Sequence, residues 1–289
     1  MKNVINYYYK IVVNEFKKRE NNFMFFVGKD EFEFVQFYYD ANKLLNLYSI
    51  LRIYRRTIDE IIFNKDKGLI TFYDNKPYIL LKKVNHDRKE LTLYDIVKYD
   101  CIVHVKESLN WKQLWKEKLD YYQIQLDETG IKYPLLKQSF SYYLGLSEIA
   151  INILNYVNYD NINYCISHKR LEKTNDLFNP LNIIIDNKSR DIAEYIKIKY
   201  FTDDITSSQV VDFIKKSSFS KDEIYLLMSR LIYPSYYFDI YEKIYNGNDS
   251  EKDLNKIIKR NASYEAFLKE IYNYIKFLYN IPQIEFLEY

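Results

Sequence analysis

The chain has 289 residues, of which 48% are hydrophobic and 28% charged, a balance that excludes intrinsic disorder. The length fits one large fold or two lobes. Forty-two Lys and Arg against 40 Asp and Glu leave a formal charge of +2 with no block of five like charges, so neither a nucleic-acid-binding tail nor an acidic arm is indicated.

The opening MKNVINYYYKIVV is too polar to read as a signal peptide, and Tyr7, Tyr8 and Tyr9 read as a partly buried helix face. Phe23 to Val27 is a short apolar run ended by Gly28-Lys29-Asp30, which predicts a strand and a turn. Phe34, Phe37, Tyr38, Ala41, Leu44 and Leu45 then recur at three-and-four spacing, predicting an amphipathic helix over residues 31–47. Three short strands are expected at 60–63, 69–73 and 78–83, separated by the turn segments NKDKG and DNKP. These elements make a small antiparallel α+β lobe over residues 1–84. The charged break HDRKE at 86–90 marks its boundary, and residues 85–289 are expected to form a large helical lobe.

Within that second lobe, Trp111, Leu114, Trp115, Leu119 and Tyr122 share one face of a helix expected over 108–126, and a second helix is expected over 135–157. Thr206 with Gln209, and Ser220 with Glu223, are capping-box patterns that open two more. Pro234 ends a helix, the next runs over 235–245, NGND makes a turn, and a last amphipathic helix covers 262–279. One interruption stands out. NYCISHKRL at 163–171 reads as a strand entering a polar loop, and LNIIID at 181–186 as a β-branched run ending in a carboxylate.

No stretch approaches 18 apolar residues, so no membrane span is expected. Two cysteines, Cys101 and Cys165, and three histidines argue against a disulfide scaffold and a zinc site, which leaves a reducing compartment as the expectation. The 32 tyrosines match a general abundance of Lys, Asn, Ile, Tyr and Phe, all read from A/T-rich codons. Selection for exposed phenols is the competing account.

A small sheet lobe followed by a helical lobe that begins with a polar loop and a strand-end Asp suggests a kinase-like arrangement. Phosphoryl transfer needs a base at the acceptor hydroxyl, metal-binding carboxylate or amide groups, and a lysine on the phosphates. In aminoglycoside-phosphotransferase-like kinases the loop reads His-x-Asp; here it reads His168-Lys169-Arg170, and an arginine cannot accept a proton. There is no GxGxxG, and Phe23 to Val27 contains no lysine.

Four segments, SFSYYLGLSEIA at 139–150, CISHKR at 165–170, DNKSRDIAEYI at 186–196 and RLIYPSYYFD at 230–239, resemble in order those of the YutH family. That family comprises kinase-like spore coat proteins of endospore-forming bacteria, related to the CotS group. The resemblance implies an α+β, two-lobed, protein-kinase-like or aminoglycoside-phosphotransferase-like fold. It also implies synthesis in the cytoplasm, location in the spore coat, and other coat proteins as partners, with no nucleic acid. His168 then matches the histidine that braces the catalytic loop, and Arg170 the basic residue at the base position. Asp186 matches the metal-binding strand-end acid, and Asp191 the aspartate opening the next helix. A competing alignment makes Asn182 the second metal ligand and Glu194 the strand-end acid. Arg170 could bind an anion or pair with Asp186. The leading expectation is a pseudokinase with a structural or assembly role in the coat. The alternative is an active ATP-dependent small-molecule phosphotransferase, with ATP and magnesium as cofactors, Asp186 as metal ligand, and Asp191 or Glu194 as base.

Overall fold

The computed structural model describes residues 1–19, 21–54, 58–84, 90–98, 102–103, 110–129, 132–171, 173–247 and 251–288. The break at 86–90 lies outside these except for Glu90, as do His86, Cys101, His104, the expected helix start at Ser108, and Asn248-Asp249. The chain divides into two compact units, one of residues 1–91 and 168–184, the other of residues 92–167 and 185–289.

The first unit begins with helix α1 (Lys2–Tyr9) and continues through β1 (Phe16–Arg19), β2 (Asn22–Val27) and β3 (Asp30–Gln36) to helix α2 (Ala41–Tyr54). Strands β4 (Glu60–Ile62), β5 (Thr71–Tyr73) and β6 (Lys76–Lys83) follow. They form one antiparallel sheet in the order β1-β2-β3-β6-β4, with β5 also paired to β6. The helix expected over 31–47 is therefore corrected: its first part is strand β3, and helix begins at Ala41. Phe32 and Phe34 alternate with Glu31 and Glu33, and this period of two fits a sheet with one buried face. Register settles the matter, because Phe34 faces Phe23 and Phe32 faces Phe25 across β2. The Phe25 and Phe32 rings stack at 5.3 Å, Phe34 stacks on Tyr78 of β6 at 4.7 Å, and Ile5 of α1 closes the same core.

Two tight hairpins have the loop chemistry their twist requires. Val27 pairs with Asp30, so Gly28-Lys29 is a two-residue loop with Gly28 at φ 61°. Asp74 and Asn75 join β5 to β6 with φ 52° and 56°, the left-handed pair of a type I′ loop.

The second unit is helical. It contains α3 (Leu93–Lys98), α4 (Trp111–Thr129), α5 (Pro134–Ile153), α6 (Ser189–Phe201), α7 (Ser207–Lys216) and α8 (Lys221–Ile232). After these come α9 (Ser235–Tyr245), α10 (Lys252–Ile258), α11 (Asn261–Tyr279) and α12 (Glu285–Glu288). Helix α8 is at its centre, packing on α5 and α6, with ten consecutive buried residues from Glu223 to Ile232. The two expected capping boxes form: Thr206 with Gln209 opens α7, and Ser220 with Glu223 opens α8. Tyr233-Pro234 separates α8 from α9, since proline supplies no N–H to continue the helix. Among the described residues no helix is long and apolar enough to cross a membrane.

Tyrosine fills much of this core. Tyr143 stacks on Tyr237 at 3.8 Å and Tyr122 on Phe238 at 4.8 Å. Several buried hydroxyls find partners: Tyr241 donates to the Tyr122 carbonyl at 2.9 Å, Tyr264 to that of Leu231 at 2.8 Å, and Tyr225 to that of Asn280 at 2.6 Å, whereas the Tyr233 hydroxyl has none among the described residues. Satisfied in this way, a phenol serves as a core residue at little polar cost. Of the tyrosines within the family-like segments, Tyr143, Tyr195, Tyr233 and Tyr237 are buried and Tyr142 and Tyr236 half-buried. Among the described residues the exposed ones are Tyr7, Tyr38, Tyr39, Tyr94, Tyr121, Tyr156 and Tyr159.

Candidate functional site

The polar loop and strand-end acid sit on a hairpin of β7 (Cys165–His168) and β8 (Ile183–Asp186), which pair as a two-stranded sheet. Its tip, residues 168–184, belongs to the first unit, where the Asp59 N–H donates to the Phe178 carbonyl at 3.0 Å. His168 is buried, and its Nε2 lies 3.4 Å from the Leu177 carbonyl oxygen. It braces the loop from inside. Asn182 holds the same loop by its amide. Its Oδ1 accepts the Arg170 N–H at 3.0 Å, and its Nδ2 donates to the carbonyls of Arg170 and, at 3.1 Å, Asp176. The Arg170 side chain is exposed. Lys169 donates to the Leu181 carbonyl at 2.9 Å and lies 4.4 Å from the centre of the Tyr39 ring. Burial first, then the neighbouring Lys43 charge, lowers the Lys169 ammonium below its ordinary value.

In the second unit Asp186 is 4% exposed and fully engaged. Its Oδ1 accepts the Asn187 N–H at 2.7 Å, while Oδ2 accepts from Arg230 at 2.8 Å and lies 3.7 Å from the Arg190 guanidinium. Both guanidinium carbons are 4.6 Å from the centre of the Trp111 ring. Trp115, buried, stacks on Tyr233 at 4.0 Å and lies 5.8 Å from Arg230. The two tryptophans therefore hold an arginine pair in place by cation–π contact. Burial lowers the Arg190 guanidinium, and the Arg230 charge adds to that. Asp186 is neutralised from within its own unit and does not need Arg170 for it.

Asp191 is buried in the first turn of α6, where a carboxylate complements the helix dipole. Glu194 lies one turn further on and pairs with Lys197 at 2.7 Å. Lys197, 2% exposed, also donates to Ser235 Oγ at 2.6 Å and to the carbonyls of Arg230 at 3.1 Å and Tyr233 at 3.3 Å. It thereby caps the C-terminal end of α8. Burial alone would raise the Glu194 carboxyl; the Lys197 charge overcomes this and holds it below the ordinary range.

The sequence reading did not single out Arg190, Arg230 or Lys197. A signal existed for Arg230: it is a lone cation within the apolar run of α8, and a buried charge demands a buried counter-charge. Among the described residues no group of three or more His, Cys, Asp and Glu gathers into a metal-binding cluster.

The first unit lacks the residues that grip nucleotide phosphates in kinases. Protein kinases use a Gly-rich loop over the phosphates, a lysine on the third strand, and a glutamate on the helix that follows it. Here the sequence between the paired ends Arg19 and Asn22 has no glycine. Strand β3 has no lysine, and α2 has neither Asp nor Glu. Lys82 and Lys83 of β6 are held instead by Asp30 at 2.7 Å and Asp59 at 2.5 Å.

Comparison with solved structures gives the fold. An aminoglycoside phosphotransferase from Alicyclobacillus acidocaldarius matches 97% of this chain and 96% of its own with a TM-score of 0.59 at 11% identity. Spectinomycin phosphotransferase APH(9)-Ia, solved with ADP and spectinomycin, matches 94% of this chain and 92% of its own with a TM-score of 0.55 at 12% identity. The α+β, two-lobed aminoglycoside-phosphotransferase-like fold is thus established, with its small antiparallel sheet and larger helical part. In sequence, the endospore coat-associated protein YutH of Bacillus subtilis is 33% identical over 189 residues, covering 55% of this chain and 54% of that protein. The match thus spans about half the length of that relative. A family model described as "Spore coat putative kinase YutH" matches residues 2–271, and the chain belongs to the YutH family.

Proposed function

We propose that this chain is a catalytically impaired, kinase-like protein that serves in the structure or assembly of a spore coat, with other coat proteins as its partners. The observation that carries this reading is the missing ion pair of the first unit: β3 lacks the lysine, and α2 lacks the carboxylate that would hold it on the phosphates. A phosphate-gripping lysine recruited from β6 would first have to leave Asp30 or Asp59. Arg170 adds to this, because in the His168-Lys169-Arg170 run it takes, by resemblance to the His-x-Asp motif, the base position, and an arginine stays protonated at any working pH. The coat role is supported by family membership and by the Bacillus subtilis relative, an endospore coat-associated protein.

Two measurements test the reading. Calorimetric titration with Mg-ATP, followed by a labelled-ATP screen of small-molecule acceptors, should give no turnover. ATP consumption that disappears in Asp186→Ala would instead establish an active phosphotransferase. A fluorescent fusion expressed during sporulation should move to the spore surface, and a signal that stays diffuse in the cell would refute the coat assignment.

A further inference from the structure

We propose that Arg230 is the resident cation of Asp186: a guanidinium built into α8 holds the position that a divalent metal would need. This deepens the proposed function, on whose family and fold it rests, by specifying how the strand-end acid is used.

The residues present do not fit a magnesium ion. Mg²⁺ demands a near-octahedral set of oxygens at about 2.0–2.1 Å and keeps several waters. Both Asp186 oxygens are already engaged, Oδ1 by the Asn187 N–H and Oδ2 by Arg230, whose charge repels a dication. A dication at Oδ2 would meet Arg230 at the same atom and Arg190 3.7 Å from it. Asp186 and Arg230 are 4% and 3% exposed, which leaves no hydration shell for a bound ion. Asn182, the alternative ligand, has already committed its Oδ1 to the Arg170 N–H. No cluster of three His, Cys, Asp and Glu exists among the described residues to supply a second carboxylate.

Arg230 is also not a removable lid. It projects from a helix turn that is buried on every side, and its guanidinium packs against Trp111 and Trp115. An arginine packed 4.6 Å from the centre of one indole and bound to a carboxylate through Nη2 is pre-organised in a way a hydrated ion is not. Whatever small molecule the fold accepts, it binds without a metal bridge to Asp186.

Mn²⁺ is the probe, because it is paramagnetic and the chain's two tryptophans are the side chains that hold Arg230. Full-length wild type and Asp186→Asn are titrated with Mn²⁺, with bound ion counted by electron paramagnetic resonance and tryptophan quenching followed in parallel. The expected result is no saturable site, or one that is equally present in Asp186→Asn, and no saturable quenching. A stoichiometric wild-type site that quenches tryptophan and is lost in Asp186→Asn overturns the proposal. Should Asp186→Asn fail to fold, melts in EDTA decide. Arg230→Met is then expected to melt well below wild type with Arg230→Lys between them, whereas an Arg230→Met that melts with wild type overturns it. The two readings fail separately. Mn²⁺ on Asp186 without ATP turnover removes only this inference, and turnover that persists in EDTA removes only the proposed function.

Discussion

Lys197→Met gives the sharpest test of how the second unit is held together. Methionine keeps the volume of the buried stem, so the change removes charge and donors without opening a cavity. The ammonium has three protons and four acceptors within 3.3 Å: Glu194, Ser235, and the carbonyls of Arg230 and Tyr233. Its loss leaves the Glu194 side chain, only 21% exposed, charged and without its ammonium partner, with the Ser235 hydroxyl still donating to it, and leaves the last carbonyls of α8 without their cap. Breaking a buried pair from one side costs about 3–5 kcal/mol. At roughly 2–4 °C per kcal/mol for a unit of this size, the melt should fall by about 6–20 °C. Tryptophan fluorescence is the assay, since Trp111 and Trp115 both lie in the second unit and report on it alone. Adding Glu194→Gln removes the stranded charge, and the double variant should recover most of the loss, because replacing both members of a buried pair is close to neutral. A loss under about 1 kcal/mol in Lys197→Met, or a double variant no better than the single, refutes the reasoning.

The same carboxylate predicts an acid response. Glu194 is held below its ordinary value, so its contribution is present above that value and is lost as pH falls through the lowered one. Melts of wild type between pH 5 and about 3 should therefore decline more steeply than those of Glu194→Gln, and parallel curves would refute the assignment. At the alkaline end, burial pushes the Tyr143 phenol up to about 12 and those of Tyr122, Tyr142 and Tyr233 further still. Groups raised in this way stabilise the fold below their unfolded value and lose that effect as pH rises. Phenolate absorbance should thus show a late wave coincident with unfolding, and a single wave complete by about pH 11 counts against the tyrosine core. In the first unit, Asn75→Gly should raise stability by about 0.5–1 kcal/mol by relieving a left-handed non-glycine residue, whereas Gly28→Ala, at φ 61°, should cost about 1–2 kcal/mol. Urea melts followed on that unit check both, and equal shifts of either sign would show that the loops do not carry this strain. Ser220→Ala should cost about 1 kcal/mol, and Glu223→Ala more, because Glu223 also receives Lys188 at 3.3 Å. Equal losses in the two would refute that extra role.

Local chemistry was legible in the sequence and long-range pairing was not. The capping boxes at Thr206 and Ser220, the boundary at Pro234 and the turn at Asp74-Asn75 are written within a few residues, and the structure follows them. The helix expected over 31–47 shows the limit. Phe34, Phe37, Tyr38 and Ala41 satisfy a helical period, but Phe23 and Phe25 one hairpin away draw residues 30–36 into the sheet. Cross-strand partners outweigh local period there. The strand-end acid was found because a β-branched run ended on it. Its partner was not, since Arg230 lies 44 residues further along and only the packing of α8 brings it back.

The first unit is not a continuous stretch of chain. It needs residues 168–184 as well as residues 1–91, and the polypeptide must travel through 92–167 before returning to supply them. During synthesis at about 5–20 residues per second, the first unit waits roughly 5–20 seconds for its last segment. By then α3, α4 and α5 have been made, while α6 and α8, which pack on one another, have not. The two units are thus completed in an interleaved order. A fragment of residues 1–91 lacks the 168–184 segment of its unit, so expression of that part alone should give aggregate rather than a folded domain.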